Sequence, residues 1–346
     1  MYNEEEFIGK CLDSLAATTF PRDHFEVLVI DGGSSDRSCE IVQGRAGRFV
    51  SLQLLDNPKR LSGAAMNIGI RTARGEYVVR MDAHSEYPPD YVKTCIEELQ
   101  RTGAANVGGC CVTRPGAETF LARAFALFGQ HPFGVGSSRF RLGSGGAYVD
   151  TVPFGAFRRE LFAQMEGFRE DLMRREDYEF NSRIRAAGGK IYLSDKTQSC
   201  YYSVPTFGKF RLQSWRGGYW NGRCWLTNRH SFAWRHSPPL LFVSALLLGA
   251  WWATVRYQGL YALAAVLVLY GLAALAASAS IAWREGWKFF AIMPFLFFSY
   301  HFVYGVATIA GALGTPFARG TRPPPAATVR TGGLDAAAAQ DRVTRV

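Results

Sequence analysis

The sequence predicts an α/β domain followed by helices that cross a membrane. Apolar runs that end near an acidic residue recur through the first part of the chain, and stretches of helical character separate them, which is typical of an α/β sheet. Between residues 240 and 317 only four side chains are charged, which is typical of membrane-spanning segments. The chain of 346 residues is therefore long enough for one soluble domain and a membrane anchor.

Charge is distributed unevenly along the chain. Residues 1–204 carry 25 basic and 26 acidic side chains, whereas residues 205–237 carry six basic side chains and no acid. The formal net charge of +10 thus lies after residue 204 and does not predict a nucleic-acid partner. The seven cysteines lack the spacing of metal ligands, which favours reduced thiols over disulfides or a zinc site.

The predicted strands are continuous apolar runs, as expected for strands buried on both faces of a sheet. The strands cover residues 25–31, 50–55, 76–81 and, more weakly, 106–112, and the helices cover residues 4–17, 35–46, 62–73 and 89–101. This alternation predicts a mostly parallel sheet flanked by helices, whose ligands bind at the carboxyl ends of the strands. Asp31 and Asp82 both lie at such ends.

Residues 205–237 alternate cations with aromatic rings, which suits a helix lying in the headgroup layer of a membrane. Six cations near an anionic leaflet contribute up to ~6 kcal/mol, at about 1 kcal/mol each. The positive-inside rule places this segment and the domain before it on the cytoplasmic side of the inner membrane.

Three uncharged stretches follow, at residues 240–255, 257–283 and 289–317. About 20 helical residues cross 30 Å of hydrocarbon, so the second and third are long enough and the first needs Pro238 and Pro239 to complete it. Residues 238–317 are therefore predicted to form two to three transmembrane helices of a multi-pass protein. Residues 318–346, rich in Pro, Ala and Arg, are predicted to be disordered. Their five arginines favour the cytoplasm, whereas three spans would place them outside, so the side of the C-terminus stays open.

Two short motifs follow predicted strands and carry oxygen or nitrogen ligands. Asp31 begins Asp-Gly-Gly-Ser-Ser-Asp, where its carboxylate can accept hydrogen bonds from a nucleotide, although Ser34 or Ser35 can also be read as a helix cap. Asp82 and His84 lie two residues apart beside a bend and can bind a divalent ion that neutralises a diphosphate, although such pairs also occur in ordinary turns.

A third motif, Glu176-Asp177, lies among charged residues and is either a catalytic pair or a solvated helix face. The order of all the motifs decides between these alternatives better than any one motif does. The motifs are Tyr2-Asn3-Glu4-Glu5, Asp31–Asp36, Asn67-Ile68-Gly69, Asp82-Ala83-His84, Gly155–Arg159 and Glu176-Asp177. In this order and spacing, over roughly residues 2–225, the chain resembles the family 2 glycosyltransferases with a GT-A fold. Arg80-Met-Asp-Ala-His, with the C-terminal spans, looks most like the membrane-bound succinoglycan-type glucosyltransferases of bacterial exopolysaccharide assembly.

The resemblance implies a role for each matching residue. Asp177 would be the catalytic base, with Glu176 the next candidate. The donor nucleotide would be bound by Tyr2, Glu4, Asp31, Asn67 and Asp82, and a divalent ion, Mn2+ or Mg2+, by Asp82 and His84. Gln213, Arg216 and Arg223 would contact the acceptor or the diphosphate.

Three positions depart from the family pattern. His84 replaces the second acid of the metal motif, which leaves the ion preference open. Gly32 replaces the second acid of the usual Asp-Asp-Gly-Ser turn. Gln213-Ser-Trp-Arg216-Gly217 matches the Gln-x-x-Arg-Trp signature of processive synthases only in part, because Gly217 replaces its tryptophan.

The predicted function is inverting transfer of a hexose from a nucleotide sugar, expected to be a uridine diphosphate sugar, to a lipid-linked saccharide in exopolysaccharide or cell-envelope glycan synthesis. Residues 1–204 would form the catalytic domain, residues 205–237 an interfacial segment and residues 238–317 the membrane anchor. A processive polysaccharide synthase and a catalytically silent membrane scaffold are the alternatives. The donor sugar, the acceptor and the linkage are left open by the sequence.

One expectation concerns the start of the chain. The family begins with an apolar strand before Tyr-Asn-Glu, whereas here Met1 directly precedes Tyr2. The natural product is therefore expected to begin upstream of Met1, or the chain to be a fragment whose first strand is missing, because loss of a central strand would expose two strand edges.

Overall fold

The computed structural model describes residues 1–143, 145–228 and 233–314. Among these residues the chain divides into two compact units. The first unit contains residues 1–112 and 143–201, and the second contains residues 113–142 and the chain from residue 202 onward. The predicted disordered tail, residues 318–346, lies outside the described residues.

The helices and strands alternate through the first part of the chain and give way to helices alone in the last. In chain order they are α1 (Ile8–Ala16), β1 (Val27–Asp31), α2 (Ser38–Arg45), β2 (Leu52–Asp56), α3 (Ser62–Thr72), β3 (Tyr77–Val79), β4 (Ser85–Glu86), α4 (Tyr91–Thr102), β5 (Asn106–Arg114), α5 (Phe120–Phe128), α6 (Pro132–Val135), β6 (Ala147–Tyr148), β7 (Ala156–Arg158), α7 (Glu160–Met165), α8 (Glu176–Ala186), β8 (Ile191–Tyr202), α9 (Phe207–Thr227), α10 (Pro238–Val255), α11 (Gln258–Glu285) and α12 (Ile292–Gly314). The four predicted strands and the four predicted helices of the N-terminal part are confirmed as β1, β2, β3 and β5 and as α1 to α4.

The strands form two sheets. β1 and β2 make a parallel pair in register from Val27 opposite Leu52 to Asp31 opposite Asp56. The other six strands form a second sheet in the order β3-β7-β5-β8-β4, with β6 beside β8. The α/β fold class is confirmed.

The prediction of a mostly parallel sheet needs correction. In the second sheet β7 runs antiparallel to β3 and to β5, and β8 runs antiparallel to β4 and to β6. The expectation of a mostly parallel sheet rested on continuous apolar runs, and β7 and β8 are not such runs. In β8 buried and more exposed residues partly alternate, as is common in antiparallel strands.

The first unit has an apolar core between β1 and the helices beside it. Ile8 and Leu12 of α1 pack there with Val27 and Val29 of β1 and with Val42 of α2. Side chains of this kind gain about 1.5–3 kcal/mol each when they are fully buried. The core therefore fixes the carboxyl end of β1, which carries Asp31.

The second unit is helical. α9 packs along α12 through small residues, and a side chain at Gly218 or Gly222 would collide with the carbonyl oxygens of Tyr304 or Thr308. Ser214 Oγ also donates a hydrogen bond to the carbonyl of Tyr300, over 2.8 Å. Small residues allow such close approach between helices in membranes. The predicted basic and aromatic segment thus begins with a helix that is packed along one of the apolar helices.

Three helices of the second unit are long and apolar enough to cross a membrane, as predicted. α10, α11 and α12 have 18, 28 and 23 residues and mean hydropathies of 1.6, 2.3 and 1.5 over their most apolar windows. Pro238 and Pro239 begin α10 and bring it to 18 residues, because proline fits the first turn of a helix, where the missing N–H has no helical partner.

The structure adds residues 113–142 to this helical unit, a grouping that the sequence analysis did not predict. Phe125 and Phe128 of α5 are buried in one cluster with Phe210 of α9, Phe289, and Phe297 of α12. The segment between β5 and β6 therefore packs with the apolar helices, whereas the sequence analysis assigns it to the catalytic domain of residues 1–204.

Candidate active site

Asp31 is the last residue of β1, and its carboxylate makes hydrogen bonds within the loop of residues 31–38, here called the Asp31 loop. Its Oδ2 accepts hydrogen bonds from the backbone N–H groups of Gly33 and Ser34, each over 3.0 Å, and its Oδ1 accepts one from Ser34 Oγ over 2.6 Å. Burial opposes ionisation, but the hydrogen bonds from Ser34 and Gly33 prevail and hold the pKa of the Asp31 carboxyl below its usual value.

Helix α2 begins at Ser38 without a side-chain cap, so neither Ser34 nor Ser35 caps it. Both serines instead bind the N-terminal segment. Asn3 N–H donates to Ser34 Oγ over 2.9 Å, and Asn3 Oδ1 accepts from Ser35 N–H over 2.8 Å. Asn3 has a φ of 52°, a left-handed conformation that asparagine tolerates better than most residues.

Tyr2 is 52% exposed beside the same loop. A Cβ atom at Gly32 would lie 3.5 Å from the Cβ of Tyr2, which is an ordinary van der Waals contact, so the structure gives no steric reason for the departure at this position. An exposed ring next to an ionised carboxylate can stack on a nucleobase while Asp31 accepts hydrogen bonds from the nucleoside.

Glu4 joins the Asp31 loop to the predicted metal motif. Its backbone N–H donates to Ser38 Oγ over 2.8 Å, and its Oε1 lies 3.1 Å from Nδ1 of His84. The ring of Tyr201 meets the His84 ring edge-on, with 5.2 Å between the ring centres. Burial lowers the pKa of His84, but the hydrogen bond to Glu4 and the charge of Asp82 outweigh it, so the pKa is raised.

Arg80 joins the metal motif to the Glu176-Asp177 pair. Its Nε lies 3.0 Å from Oδ1 of Asp82, and its Nη2 lies 3.3 Å from Oε1 of Glu176. Ser62 Oγ also donates to Oε1 of Glu176, over 2.7 Å. Burial raises the pKa of Asp82, but Arg80 and His84 hold it below its usual value. Glu176 is buried, and burial raises its pKa in spite of Arg80.

Asp177 differs from Glu176 in its surroundings, although both lie in the first turn of α8. Its Oδ1 accepts a hydrogen bond from the N–H of Tyr178 over 2.7 Å. Among the described residues no other hydrogen bond to this carboxylate is found. Asp177 is half-buried and lines, with Arg80, Asn106 and Asn181, a cavity of ≈ 10 Å³, which is room for about one water molecule.

Asn67 is buried, and its side-chain amide makes hydrogen bonds within the protein. Its Nδ2 donates to the carbonyl of Phe168 over 2.8 Å and to Oε1 of Glu170 over 2.9 Å, and its Oδ1 accepts from Phe168 N–H over 2.8 Å. The geometry favours a residue that holds the 168–170 segment in place over one that reaches a nucleotide.

Gln213, Arg216 and Arg223 lie on α9, in the second unit, whereas the other predicted site residues lie in the first unit. Arg216 is exposed, and the Arg223 guanidinium lies 5.3 Å from the ring centre of Trp220. A Cβ atom at Gly217 would approach the ring of Tyr304 at 3.3 Å, so a side chain at this position would require that ring to shift slightly.

The sequence analysis assigned no role to Arg80 or Ser62, although both contact Glu176. A usable signal was present for Arg80, because residues two apart in an extended segment point to the same face and Arg80 precedes Asp82 by two. No such signal existed for Ser62, which is 114 positions from Glu176 in the chain.

The carboxylate of Asp82 and the imidazole of His84 are both side chains that can bind a divalent ion. The contact between Glu4 and Nδ1 of His84 leaves Nε2 as the free ring nitrogen, the arrangement in which a carboxylate orients a metal-binding histidine. The described residues contain no cluster of three or more His, Cys, Asp or Glu side chains that could hold a metal alone. An ion held here would need oxygens from a bound diphosphate to complete its ligands.

Comparison with known proteins identifies the family. The profile of glycosyl transferase family 2 matches residues 1–165. The succinoglycan biosynthesis protein ExoA of Rhizobium meliloti is 32% identical over 264 residues, which are 74% of this chain and 77% of that protein. The chain belongs to glycosyltransferase family 2. This confirms the resemblance and the class of enzyme inferred from the motifs.

This family 2 glycosyltransferase is also similar to a second sequence relative and to a solved structure. A dolichyl N-acetyl-α-D-glucosaminyl phosphate glucuronosyltransferase of Methanococcus voltae, which acts with a diacetamido-dideoxy sugar, is 28% identical over 221 residues, covering 62% of this chain and 68% of that protein. A mannosyltransferase of Pyrobaculum calidifontis, solved with GDP-Man and Mn2+, has a TM-score of 0.57 at 20% identity, covering 90% of this chain and 85% of that one. The structural similarity confirms the GT-A fold.

Proposed function

We propose that this transferase moves one hexose from a uridine diphosphate sugar to a lipid-linked saccharide, with inversion, at the cytoplasmic face of the inner membrane. The observation that carries the proposal is one connected polar network in the first unit. Glu4 joins the Asp31 loop to His84, and Arg80 joins Asp82 to Glu176. These contacts, together with the short chain segment from Asp82 to His84, connect the predicted nucleotide and metal positions to Glu176, which precedes the predicted base Asp177.

The donor would bind with its base beside Tyr2 and its nucleoside donating hydrogen bonds to Asp31. Asp82 and His84 would hold a divalent ion, Mn2+ or Mg2+, which supplies positive charge against the diphosphate when bound. Arg80 and Ser62 fix Glu176, and the turn that carries Glu176 also presents Asp177. Asp177 would take the proton of the acceptor hydroxyl, a contribution of about 10²–10⁴-fold in rate.

The bond changes balance as an inverting displacement. The acceptor oxygen forms a bond to the anomeric carbon of the sugar while the bond from that carbon to the diphosphate oxygen breaks. The nucleoside diphosphate leaves with the bonding electrons, and the hydroxyl proton goes to the Asp177 carboxylate. No covalent link to the protein is needed, so one carboxylate base suffices.

The lipid-linked acceptor is supported by the relatives and by the apolar helices. One relative is named for succinoglycan biosynthesis and another for transfer to a dolichyl phosphate sugar. α10, α11 and α12 are long and apolar enough to keep this protein at a membrane. A single addition is favoured over processive synthesis because Gly217, beside Tyr304, cannot supply the aromatic side chain of the synthase signature.

The purified full-length protein is expected to add one hexose to an acceptor in a bacterial lipid extract. The assay would supply each of a panel of uridine diphosphate sugars in excess, with Mn2+, in detergent, and resolve the products by mass. A product one hexose heavier than the acceptor supports the proposal. A ladder of products would indicate a processive synthase, and absence of metal-dependent turnover with every donor would indicate a scaffold.

The substitution His84→Asp is expected to retain transfer and to shift the ion preference from Mn2+ toward Mg2+, because carboxylate is a harder ligand than imidazole. Rates with each ion and Mn2+ binding followed by electron paramagnetic resonance would measure the shift. His24→Asp is a matched control, because His24 lies beside Asp23, outside the network. An unchanged ratio of Mn2+ to Mg2+ activity in His84→Asp would show that His84 does not bind the ion.

A further inference from the structure

A groove of ≈400 Å³ runs between α9 and α12 in the second unit. Its volume falls within the range of about 300–1,000 Å³ that is usual for small-molecule sites. Every lining side chain except one guanidinium is apolar. The lining residues are Gly208, Arg211, Leu212 and Trp215 of α9 and Phe302, Val303 and Val306 of α12.

The groove offers an apolar surface to a ligand. The α9 residues that line it lie on one face, from position 208 to position 215, which at 1.5 Å per residue is about 10 Å of helix. α12, the opposite wall, is one of the helices that can span a membrane. Leu212 and Trp215 of α9 and Phe302 of α12 each have 40% or more of their surface exposed. A hydrocarbon chain entering from a bilayer would cover these side chains.

The charge of α9 indicates an anionic ligand. The helix carries Lys209, Arg211, Arg216 and Arg223 and no acidic residue. The first three are exposed, and among the described residues none of them has an acidic partner. Arg211 is the cation among the residues that line the groove, so an anion bound to it would lie beside the apolar side chains of the groove.

We propose that this groove binds the lipid-linked acceptor through its lipid, as a single long hydrocarbon chain whose phosphate pairs with Arg211. The inference rests on the proposed function, in which the acceptor is lipid-linked, and it specifies the residues that recognise the lipid. The apolar lining would hold the hydrocarbon chain, and Arg211, which has no acidic partner among the described residues, would hold the phosphate.

Gly208 allows a direct test, because a Cβ atom there meets no atom within 4 Å and a larger side chain would extend into open space. The substitution Gly208→Leu should fold and should partly fill the groove. It is expected to raise the KM for the lipid acceptor at least 10-fold and to leave the KM for the sugar nucleotide unchanged. Gly271→Leu is the matched control, because Gly271 on α11 also faces open space. Equal acceptor KM values in wild type and Gly208→Leu would overturn the proposal.

Binding measured without catalysis separates this inference from the proposed function. A polyprenyl phosphate, the same polyprenol without phosphate, and a two-chain phosphatidic acid would be titrated into the full-length protein in detergent. The polyprenyl phosphate is expected to bind at least 10-fold more tightly than the other two. Gly208→Leu should remove this binding, and Arg211→Gln should reduce the phosphate form to the affinity of the polyprenol.

The two hypotheses fail differently in these experiments. Specific binding of polyprenyl phosphate without any transfer in the wild type would count against the proposed function and support the groove. Transfer that is insensitive to Gly208→Leu would support the function and count against the groove. Equal binding of phosphatidic acid would show that the groove holds only membrane lipid, and the proposal would be wrong.

Discussion

The substitution Asp177→Asn is expected to reduce sugar transfer by about 10²–10⁴-fold, the contribution of a positioned general base, while donor binding stays nearly unchanged. An amide has nearly the same shape as a carboxylate but cannot take the proton of the acceptor hydroxyl. Asp177 is suited to this role because its carboxylate is only half-buried and, within the described residues, accepts a hydrogen bond only from the N–H of Tyr178. Initial rates and titration of uridine diphosphate would measure the two quantities separately.

Two controls make the result specific. Asp23→Asn changes an exposed carboxylate and is expected to alter stability by no more than about 0.5 kcal/mol and the rate very little. Glu176→Gln removes the charge that Arg80 contacts, so it should lower stability as well as rate. If Asp177→Asn keeps more than a tenth of the wild-type turnover, the base lies elsewhere, and Glu176 becomes the next candidate.

The sequence predicted the elements whose signal is local. Asp31 lies at the end of β1 because an apolar run stops there, and the apolar helices follow from the absence of charge over lengths that cross a bilayer. The order of the motifs also identified the family. Each of these signals depends on neighbours in the chain, which a single sequence displays directly.

The parts that the sequence did not predict depend on contacts between distant segments. Arg80 reaches Glu176 across 96 positions, and Asn67 reaches Phe168 across 101. The direction of β7 also depends on its tertiary partners, because its three residues carry no directional signal. The periodicity of one segment cannot report which other segment it meets, so these features required the structure.

Among the residues that join distant segments of the chain, Arg80 is the one whose substitution we expect to lower stability most. The substitution Arg80→Met is expected to lower the free energy of unfolding by about 3–5 kcal/mol, the usual cost of removing one partner from a buried ion pair. It would leave the carboxylates of Asp82 and Glu176 without the cation that they share. The Glu176 side chain is only 7% exposed and that of Asp82 is 27% exposed, so water would compensate Glu176 less than Asp82. Chemical denaturation in detergent at pH 7 would measure the loss.

The pH dependence of this loss gives a second, independent readout. In the wild type the pKa of Asp82 lies below its usual value, so its contribution to stability is present above about pH 4 and is lost as the pH falls through the lower, folded value. Without Arg80 the pKa of Asp82 should rise, and that of Glu176, already raised by burial, should rise further. Both carboxyls then accept protons more readily, so the deficit of Arg80→Met should shrink as the pH is lowered from 7 to 5.

Arg80→Lys tests whether charge alone is sufficient. An ammonium restores the positive charge but lacks the planar fork with which the guanidinium contacts Asp82 through Nε and Glu176 through Nη2. The variant should therefore recover more of the stability than of the transfer rate, because transfer also requires the Asp82 and Glu176-Asp177 segments to keep their relative positions. Arg80→Met with a stability within about 1 kcal/mol of the wild type and an unchanged pH dependence would contradict this role, since both carboxylates would then be stable without the cation.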